Sequence, residues 1–533
     1  EELMRVASDL LEEVFVSYHD EFKHITMRAR GRFEECDWHG LHSDAEERLD
    51  LYGGYVGKLV VELEALLGER CGDKELLGAI KGEFQRFIRE REDFDVSQSF
   101  FNSVMIRVGR FGGIAGIDTN IEFMGDEFVT PATNEEQDLV VTLRNNGSAE
   151  ALVGELLWAC GFECAWRDMA GDAGVVASRI EAGLAEMGWG RQLSVLEVAR
   201  SIFYRGKRAY LVGRIKASKA GSEARYVPMV ISLGNGDSGV FVDAVLMDED
   251  DVSILFSFAR EYFHVDANRP HALVQFLRTI MPLKPVAELY ISMGYNKHGK
   301  TERYRHLMRH MATSSDRFEM ARGDRGMVMQ VFTLPSYDLV FKIIKDSFDY
   351  PKRTTRQEVR DRYQLVFRHD RGGRLVDAQE FEDVRFDKAR FEPELLEELL
   401  ATAARAVRVN GDEVVIEHMY TERRLVPLNL YLREVGEEVA RPMTIEYGYA
   451  IKDLASTNIF PGDILLKNFG VTRHGRIVFY DYDELCLLTD CNFRVMPQPA
   501  NDDFDDMFAP EPWFSVGEND VFPEEMHTFL GLP

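Results

Sequence analysis

Three polar residues near the C-terminal end of the chain restrict its fold more than any other feature of the sequence. Asp463 and Asn468 lie in a loop after a predicted helix, and Asp481 follows thirteen residues later, after a predicted strand pair. A turn at Gly475 lets the second strand run back antiparallel to the first, so we expect the three side chains to meet. Mg²⁺ prefers carboxylate and other oxygen ligands. The spacing therefore predicts a metal-assisted site built on one loop and two strands.

The same spacing is typical of a protein-kinase catalytic loop, in which Asp, four residues and Asn precede a metal-binding Asp on the next strand pair. In that arrangement Asp463 reaches the attacking hydroxyl, and Asn468 and Asp481 hold metal at the nucleotide phosphates. The pattern predicts phosphoryl transfer from ATP with Mg²⁺ or Mn²⁺.

Two positions depart from the usual kinase pattern. Pro461-Gly462 stands where His-Arg is usual, and Tyr482-Asp483 stands where Phe-Gly is usual. We therefore predict a divergent site, in which Asp483 supplies an extra carboxylate that holds metal or positions a water molecule.

Upstream, Lys342 is the one charged residue in an apolar run that covers residues 339–344. A lysine in such a strand is costly to bury unless a fixed anion meets it, and ATP phosphates are such an anion. The preceding turn is predicted to cradle those phosphates through its backbone N–H groups and two arginines. It consists of Ala321, Arg322, Gly323, Asp324, Arg325, Gly326 and Met327. The glutamate that should pair with Lys342 stays open among Glu358, Glu380 and Glu382.

The periodicity of apolar residues predicts an α+β fold in two parts. Residues 1–313 are predicted to form a mainly helical domain with a small β insertion. Residues 314–533 are predicted to form a bilobal, divergent kinase-like domain. The predicted strands cover residues 208–217, 226–233, 240–247, 327–333, 339–344 and 414–418. The predicted helices of the second part cover residues 354–367, 393–407 and 444–459.

Gly234, Gly236 and Gly239 form a GxGxxG sequence, which suggests a dinucleotide site only when a helix follows. An apolar strand-like run follows here, and no lysine appears before Lys284. We therefore interpret the sequence as a hairpin turn.

The bulk properties exclude several classes of protein. The formal net charge is −28, and both nucleic acids and anionic membranes require a basic surface. No apolar run reaches the length of about eighteen residues that a membrane helix needs. The first residues lack a secretory pattern, and the six cysteines form no CxxC pair. We expect a cytoplasmic protein with reduced thiols.

Several segments together resemble the isocitrate dehydrogenase kinase/phosphatase family, which is bifunctional and bacterial. They include ARGDRGMVMQVF, VFKIIKDSF, YTERRLVPLNLYL, NIFPGDILLKNFGVTRHGRIVFYDYDE and EPWFSVGENDVFPEE. The resemblance implies that one serine of isocitrate dehydrogenase is phosphorylated and dephosphorylated, which controls the glyoxylate bypass against the citric acid cycle. It also implies AMP as an allosteric effector and an N-terminal regulatory domain.

The resemblance places the ATP loop at residues 321–327, the ATP lysine at Lys342 and an active-site aspartate at Asp377. It further suggests that residues 501–517 grip the substrate protein, with Trp513 and Phe514 as anchors. Since the sequence shows no separate phosphatase motif, we expect one site for both directions, with Asp377 and Asp483 positioning the water. Two alternatives stay open: an atypical kinase without phosphatase activity, and a nucleotide-sensing pseudokinase that only binds a partner.

Overall fold

The computed structural model describes most of the chain. The described residues are 1–89, 91–111, 139–189, 193–217, 225–257, 262–323, 325–348, 352, 354–369, 372–496, 515–517 and 519–524. The chain divides into two compact units and passes from the first to the second between Arg309 and His310. None of the described helices combines the length and apolar character needed to cross a bilayer.

The first unit is mainly helical. Its helices are α1 Glu2–Glu34, α2 Trp38–Leu67, α3 Lys74–Ile88, α4 Phe94–Phe111, α5 Ala149–Ala159, α6 Met169–Glu186, α7 Glu249–Leu255, α8 Pro270–Ile280, α9 Val286–Ser292 and α10 Asn296–Thr313, the last of which runs into the second unit. Apolar side chains at three- and four-residue spacing place one face of α1 and of α2 in a common core. Asp37 caps α2 by accepting a hydrogen bond from the Gly40 N–H at 2.9 Å.

The β insertion of the first unit is a six-stranded antiparallel sheet in which β1, β2, β4, β5 and β6 are neighbours and β3 pairs with β4. Its strands are β1 Val140–Arg144, β2 Val195–Ala199, β3 Phe203–Arg205, β4 Arg208–Ala217, β5 Arg225–Gly234 and β6 Phe241–Leu246. The three predicted strands are confirmed. The GxGxxG segment joins β5 to β6, as the hairpin interpretation required. Gly239 adopts φ +99°, which favours glycine there.

His264 lies in the core of the first unit, where its backbone pairs with that of Tyr204 through N–H to O distances of 2.8 and 2.9 Å. Within the described part of the chain, neither ring nitrogen of His264 has a hydrogen-bond partner. Burial lowers the pKa of His264 well below its ordinary value, and the charge of Arg48 lowers it further.

The second unit combines a six-stranded antiparallel sheet with helices and small strand pairs. Its strands are β7 Glu319–Met320, β8 Met329–Thr333, β9 Leu339–Ile344, β10 Ala378–Asp387, β11 Val407–Asn410, β12 Glu413–Arg423, β13 Val426–Pro427, β14 Ile459–Phe460, β15 Phe469–Val471, β16 Ile477–Phe479, β17 Cys486–Leu487, β18 Asn492–Phe493 and β19 Asp520–Val521. Its helices are α11 Arg356–His369, α12 Pro393–Thr402, α13 Leu428–Glu434 and α14 Glu437–Ser456. The large sheet has the order β10-β12-β9-β8-β7, and β11 pairs with β12.

The elements of the second unit follow the predictions, with shifts at their ends. The helix predicted for residues 393–407 ends at Thr402, because the chain turns there into β11. The strand predicted for residues 414–418 continues to Arg423. The polar residues at the end of β12 look like a loop in the sequence, but they lie in the middle of the sheet between β10 and β9. This extension brings a further residue into the candidate site.

Candidate active site

The loop that carries Asp463 is fixed by a tight backbone approach. Strand β14 ends at Phe460 and pairs with β17, and Gly462 follows with φ +77°. A Cβ atom at position 462 would lie 2.4 Å from the carbonyl oxygen of Glu484. Only glycine fits this position, which explains why the usual arginine is absent. The turn holds the loop against the segment that contains Asp481 and Asp483.

Within the loop, Asp463 and Asn468 are linked directly. The Oδ1 atom of Asp463 accepts a hydrogen bond from the Leu465 N–H at 2.9 Å, and the Asn468 side-chain amide donates to the Asp463 carbonyl at 3.2 Å. The Tyr447 hydroxyl from helix α14 donates to the Ile464 carbonyl. These bonds orient the loop before any ligand arrives, as a preorganised site requires.

Asp481 reaches the loop through the predicted strand pair. Strands β15 and β16 are antiparallel, and Phe469 lies opposite Phe479. Asn468 immediately precedes β15, Asp481 follows β16, and the Tyr480 N–H donates to the Asn468 carbonyl at 3.1 Å. The structure therefore brings together the two residues that were predicted to hold metal.

The side chain of Lys342 on β9 points to the segment that carries Asp481. Its Nζ atom donates to the Tyr480 carbonyl at 2.8 Å and lies 5.3 Å from the centre of the Tyr480 ring. Burial raises the pKa of the Asp481 carboxyl group, and the charge of Lys342 opposes that rise. The strand lysine and the metal-binding aspartate thus belong to one cluster, although 139 positions separate them in the sequence.

The partner of Lys342 is Glu422, which the sequence analysis missed. Lys342 Nζ lies 2.7 Å from Glu422 Oε2, and the glutamate side chain is 1% exposed. Tyr363 donates to the other carboxylate oxygen at 3.2 Å. Burial raises the pKa of Glu422, and the charge of Lys342 opposes that rise.

Two of the three glutamates considered earlier, Glu358 and Glu380, are engaged elsewhere. Glu358 accepts a hydrogen bond from the Thr355 N–H at 2.7 Å and closes a capping box at the start of α11. Glu380 lies 2.5 Å from His418. The sequence signal that could have identified Glu422 was the continuation of the strand pattern beyond residue 418. Alternation places Glu422 on the same face of the strand as Tyr420, and Tyr420 pairs with Lys342 across the sheet.

Asp377 joins the cluster through a segment that runs beside β16. The Val376 N–H donates to the Phe479 carbonyl at 3.1 Å, and the Tyr482 hydroxyl donates to the Val376 carbonyl at 2.6 Å. The Gln379 amide donates to both oxygens of Asp377 at 2.9 and 3.0 Å. The charge of Asp377 also raises the pKa of Glu422. The residue that only the resemblance suggested therefore lies within electrostatic reach of the others.

Asp481 and Asp483 form a coupled pair of carboxyl groups. Burial, followed by the charge of Asp483, raises the pKa of Asp481 to about 7. Lys352 lies 3.0 Å from Asp483 and 2.5 Å from Glu484. The acidic pair is thus flanked by two ammonium groups, Lys342 on one side and Lys352 on the other.

The predicted phosphate loop lies between β7 and β8, with Asp324 outside the described residues. Gly323 adopts φ +118°, and a Cβ atom at Gly326 would lie 2.8 Å from the Met329 carbonyl. Both arginines of the loop are well exposed and pair with glutamates, Arg322 with Glu434 at 2.7 Å and Arg325 with Glu398 at 3.5 Å. The glycines thus match the expectation for a tight loop, while the arginines face carboxylates.

The donor atoms fit a divalent cation that is bound together with a nucleotide. In the described ranges no group of three or more His, Cys, Asp or Glu residues forms a metal cage. The Asp481 carboxyl group and the Asn468 amide suit Mg²⁺, which takes one or two carboxylates and fills its remaining positions with water and phosphate oxygens. The segment proposed to grip a substrate protein, residues 501–517, is described only from 515 onward, so Trp513 and Phe514 lie outside the described residues.

Comparison with known proteins matches nearly the whole chain. Residues 8–315 match the model of the isocitrate dehydrogenase kinase/phosphatase (AceK) regulatory domain, and residues 316–533 match that of its kinase domain. Isocitrate dehydrogenase kinase/phosphatase from Anaeromyxobacter sp. (strain Fw109-5) is 49% identical over 97% of this chain and 88% of its own length. The protein of the same name from Xanthomonas axonopodis pv. citri (strain 306) is 42% identical over 98% of this chain and 88% of its own length. The chain therefore belongs to the isocitrate dehydrogenase kinase/phosphatase family.

Proposed function

We propose that this chain phosphorylates a serine of isocitrate dehydrogenase and removes the same phosphate, using one ATP- and metal-dependent site. The observation that carries the proposal is the convergence of Lys342, Asp463, Asn468 and Asp481 on one cluster. The names of the relatives supply the substrate protein and both directions of the reaction.

For phosphorylation, the residues divide the work as phosphoryl transfer requires. Asp463 accepts a hydrogen bond from the serine hydroxyl and orients it. Lys342 meets the nucleotide phosphates and is itself held by Glu422. Asn468 and Asp481 hold Mg²⁺ or Mn²⁺, which supplies charge neutralisation at the phosphates. The loop of residues 321–327 covers ATP or ADP.

For dephosphorylation, a water molecule must replace the serine hydroxyl as acceptor, or ADP must first take the phosphoryl group. Asp377 and Asp483 are the carboxylates that we assign to positioning this water, because both lie beside the metal-binding segment and neither is needed to orient the serine. A hydrogen bond from the Gln379 amide orients the Asp377 carboxylate for this role.

We further propose that residues 314–533 form a divergent, bilobal kinase-like domain and that residues 1–313 regulate it in response to AMP. The chain would then set the flow between the glyoxylate bypass and the citric acid cycle from the cytoplasm. The sparse cysteines, six in the chain with no CxxC pair, support that location. Neither a nucleic acid nor a membrane is part of this proposal.

The proposal is tested with purified full-length chain, isocitrate dehydrogenase, Mg²⁺ and ATP labelled at its γ-phosphate. We expect label on a serine of the dehydrogenase, followed by its release once ATP is replaced by ADP. Label that enters and never leaves would favour the atypical kinase. Nucleotide binding without any transfer would favour the pseudokinase.

A further inference from the structure

Lys352 is a buried cation that the roles assigned above do not use. It lies between β9 and α11, and its side chain is only 13% exposed. Its Nζ atom lies 3.0 Å from Asp483 Oδ2 and 2.5 Å from Glu484 Oε1. Burial lowers the pKa of Lys352, but the charges of Asp483 and Glu484 outweigh this effect, so the pKa is raised overall. The ammonium group is therefore charged where it meets these carboxylates.

The position of Lys352 makes it a competitor for Asp483. Asp481 and Asp483 are neighbouring carboxyl groups two residues apart, and a divalent cation at Asp481 would attract both. The Asp483 oxygen that accepts a hydrogen bond from the Lys352 ammonium at 3.0 Å uses a lone pair for that bond, and this lone pair is then not free to bind a metal ion. Lys342 has no such effect on Asp483, because its own partners are Glu422 and the Tyr480 carbonyl.

We propose that Lys352 is a positioning residue that keeps Asp483 out of the first coordination shell of the active-site metal. The metal then rests on Asp481 and Asn468, and Asp483 stays available to position water. This inference rests on the proposed function, whose metal site it refines. It decides between the two roles, holding metal or positioning water, that the sequence leaves open for Asp483.

The test measures Mn²⁺ binding to the full chain at a fixed saturating concentration of ADP, by electron paramagnetic resonance of free Mn²⁺, and the Mn²⁺ that ADP binds without protein is subtracted. In Lys352→Met, the released Asp483 should join the metal, and we expect the Kd for Mn²⁺ to fall about tenfold. Lys352→Arg keeps the charge and should bind Mn²⁺ as the original chain does. Lys452→Met, on the exposed face of α14, is the matched control and should change nothing.

The role of Asp483 is isolated by a double-mutant cycle. Asp483→Asn alone should change the Kd for Mn²⁺ by less than about twofold, because Lys352 already withholds this carboxylate. In the Lys352→Met background the same substitution should cancel the gain in affinity. An unchanged or weaker affinity in Lys352→Met would overturn the inference, as would an equal effect of Asp483→Asn in both backgrounds. Melting curves verify folding, and Lys352→Gln replaces Lys352→Met if that variant does not fold.

Asp481→Asn separates this inference from the proposed function. If Asp481→Asn still binds Mn²⁺ as the original chain does, the metal site of the proposed function is wrong. If Asp481→Asn loses Mn²⁺ binding while Lys352→Met leaves it unchanged, only the role of Lys352 is wrong.

Discussion

Lys342 on β9 and Glu422 on β12 form a buried ion pair across two antiparallel strands, with 2.7 Å between the ammonium nitrogen and a carboxylate oxygen. The strand register sets Lys342 opposite Tyr420, so Glu422 reaches it diagonally on the same face of the sheet. The lysine is therefore oriented by the sheet and not by helix α11, whose Glu358 caps its own first turn.

Replacing Glu422 by Gln should destabilise the second unit and weaken ATP binding. The substitution leaves the ammonium of Lys342 buried without its counter-charge, which typically costs about 3–5 kcal/mol of unfolding free energy. Denaturant unfolding and nucleotide titration measure the two effects. Glu358→Gln is the control and should leave ATP affinity unchanged; equal losses in both variants would contradict the assignment of Glu422.

Lys342→Met should lower ATP-dependent turnover in both directions by about 100-fold or more, because removing one preorganised charge from a phosphate site costs that much. Label transfer to and from isocitrate dehydrogenase is the measurement, with Lys452→Met as the exposed control. If Lys342→Met impaired phosphorylation alone, the two reactions would not share one nucleotide site.

Asp377→Ala should spare phosphorylation and impair dephosphorylation. A positioned carboxylate contributes about 100-fold or more to proton transfer, and our assignment gives Asp377 this role only when water is the acceptor. The ratio of the two initial rates is the readout. Gln379→Leu, which removes the amide that holds Asp377, should shift the ratio the same way, whereas Asp412→Ala on the surface should not. Equal loss of both activities would refute the division of roles.

His264 should make the first unit sensitive to acid. Burial lowers the pKa of His264 in the folded state. As the pH falls, the unfolded chain therefore takes up the proton before the folded chain does, at an ordinary pKa of about 6.5. Stability from the neutral imidazole is present above that pH and is lost as the pH falls below it. Urea unfolding followed from pH 7.5 to pH 5 should therefore show a smaller loss of stability in His264→Phe. His24→Phe, at an exposed position of α1, should keep the original pH dependence.

The local order of the site could be read from the sequence because each part depends on neighbouring residues. Asp463, Asn468 and Asp481 are linked by one loop and one hairpin, and their spacing alone requires them to meet. The turn at Gly234–Gly239 was distinguished from a dinucleotide loop in the same way, since a strand and not a helix follows it.

Long-range pairing was not accessible from the sequence. Glu422 was missed because its strand was ended too early, at the polar residues after His418, and because nothing local says that β12 pairs with β9. Asp377 has no motif of its own and acquires its place only when its segment runs beside β16.

The contact between Gly462 and the Glu484 carbonyl joins the loop that carries Asp463 to the segment that carries Asp481. Because β14 pairs with β17 and Gly462 packs against that carbonyl, we expect the loop of Asp463 and the segment of Asp481 to move together. We therefore expect that reversal of the reaction moves the bound protein or the nucleotide and leaves these two segments in place. Position 462 should therefore tolerate no residue except glycine.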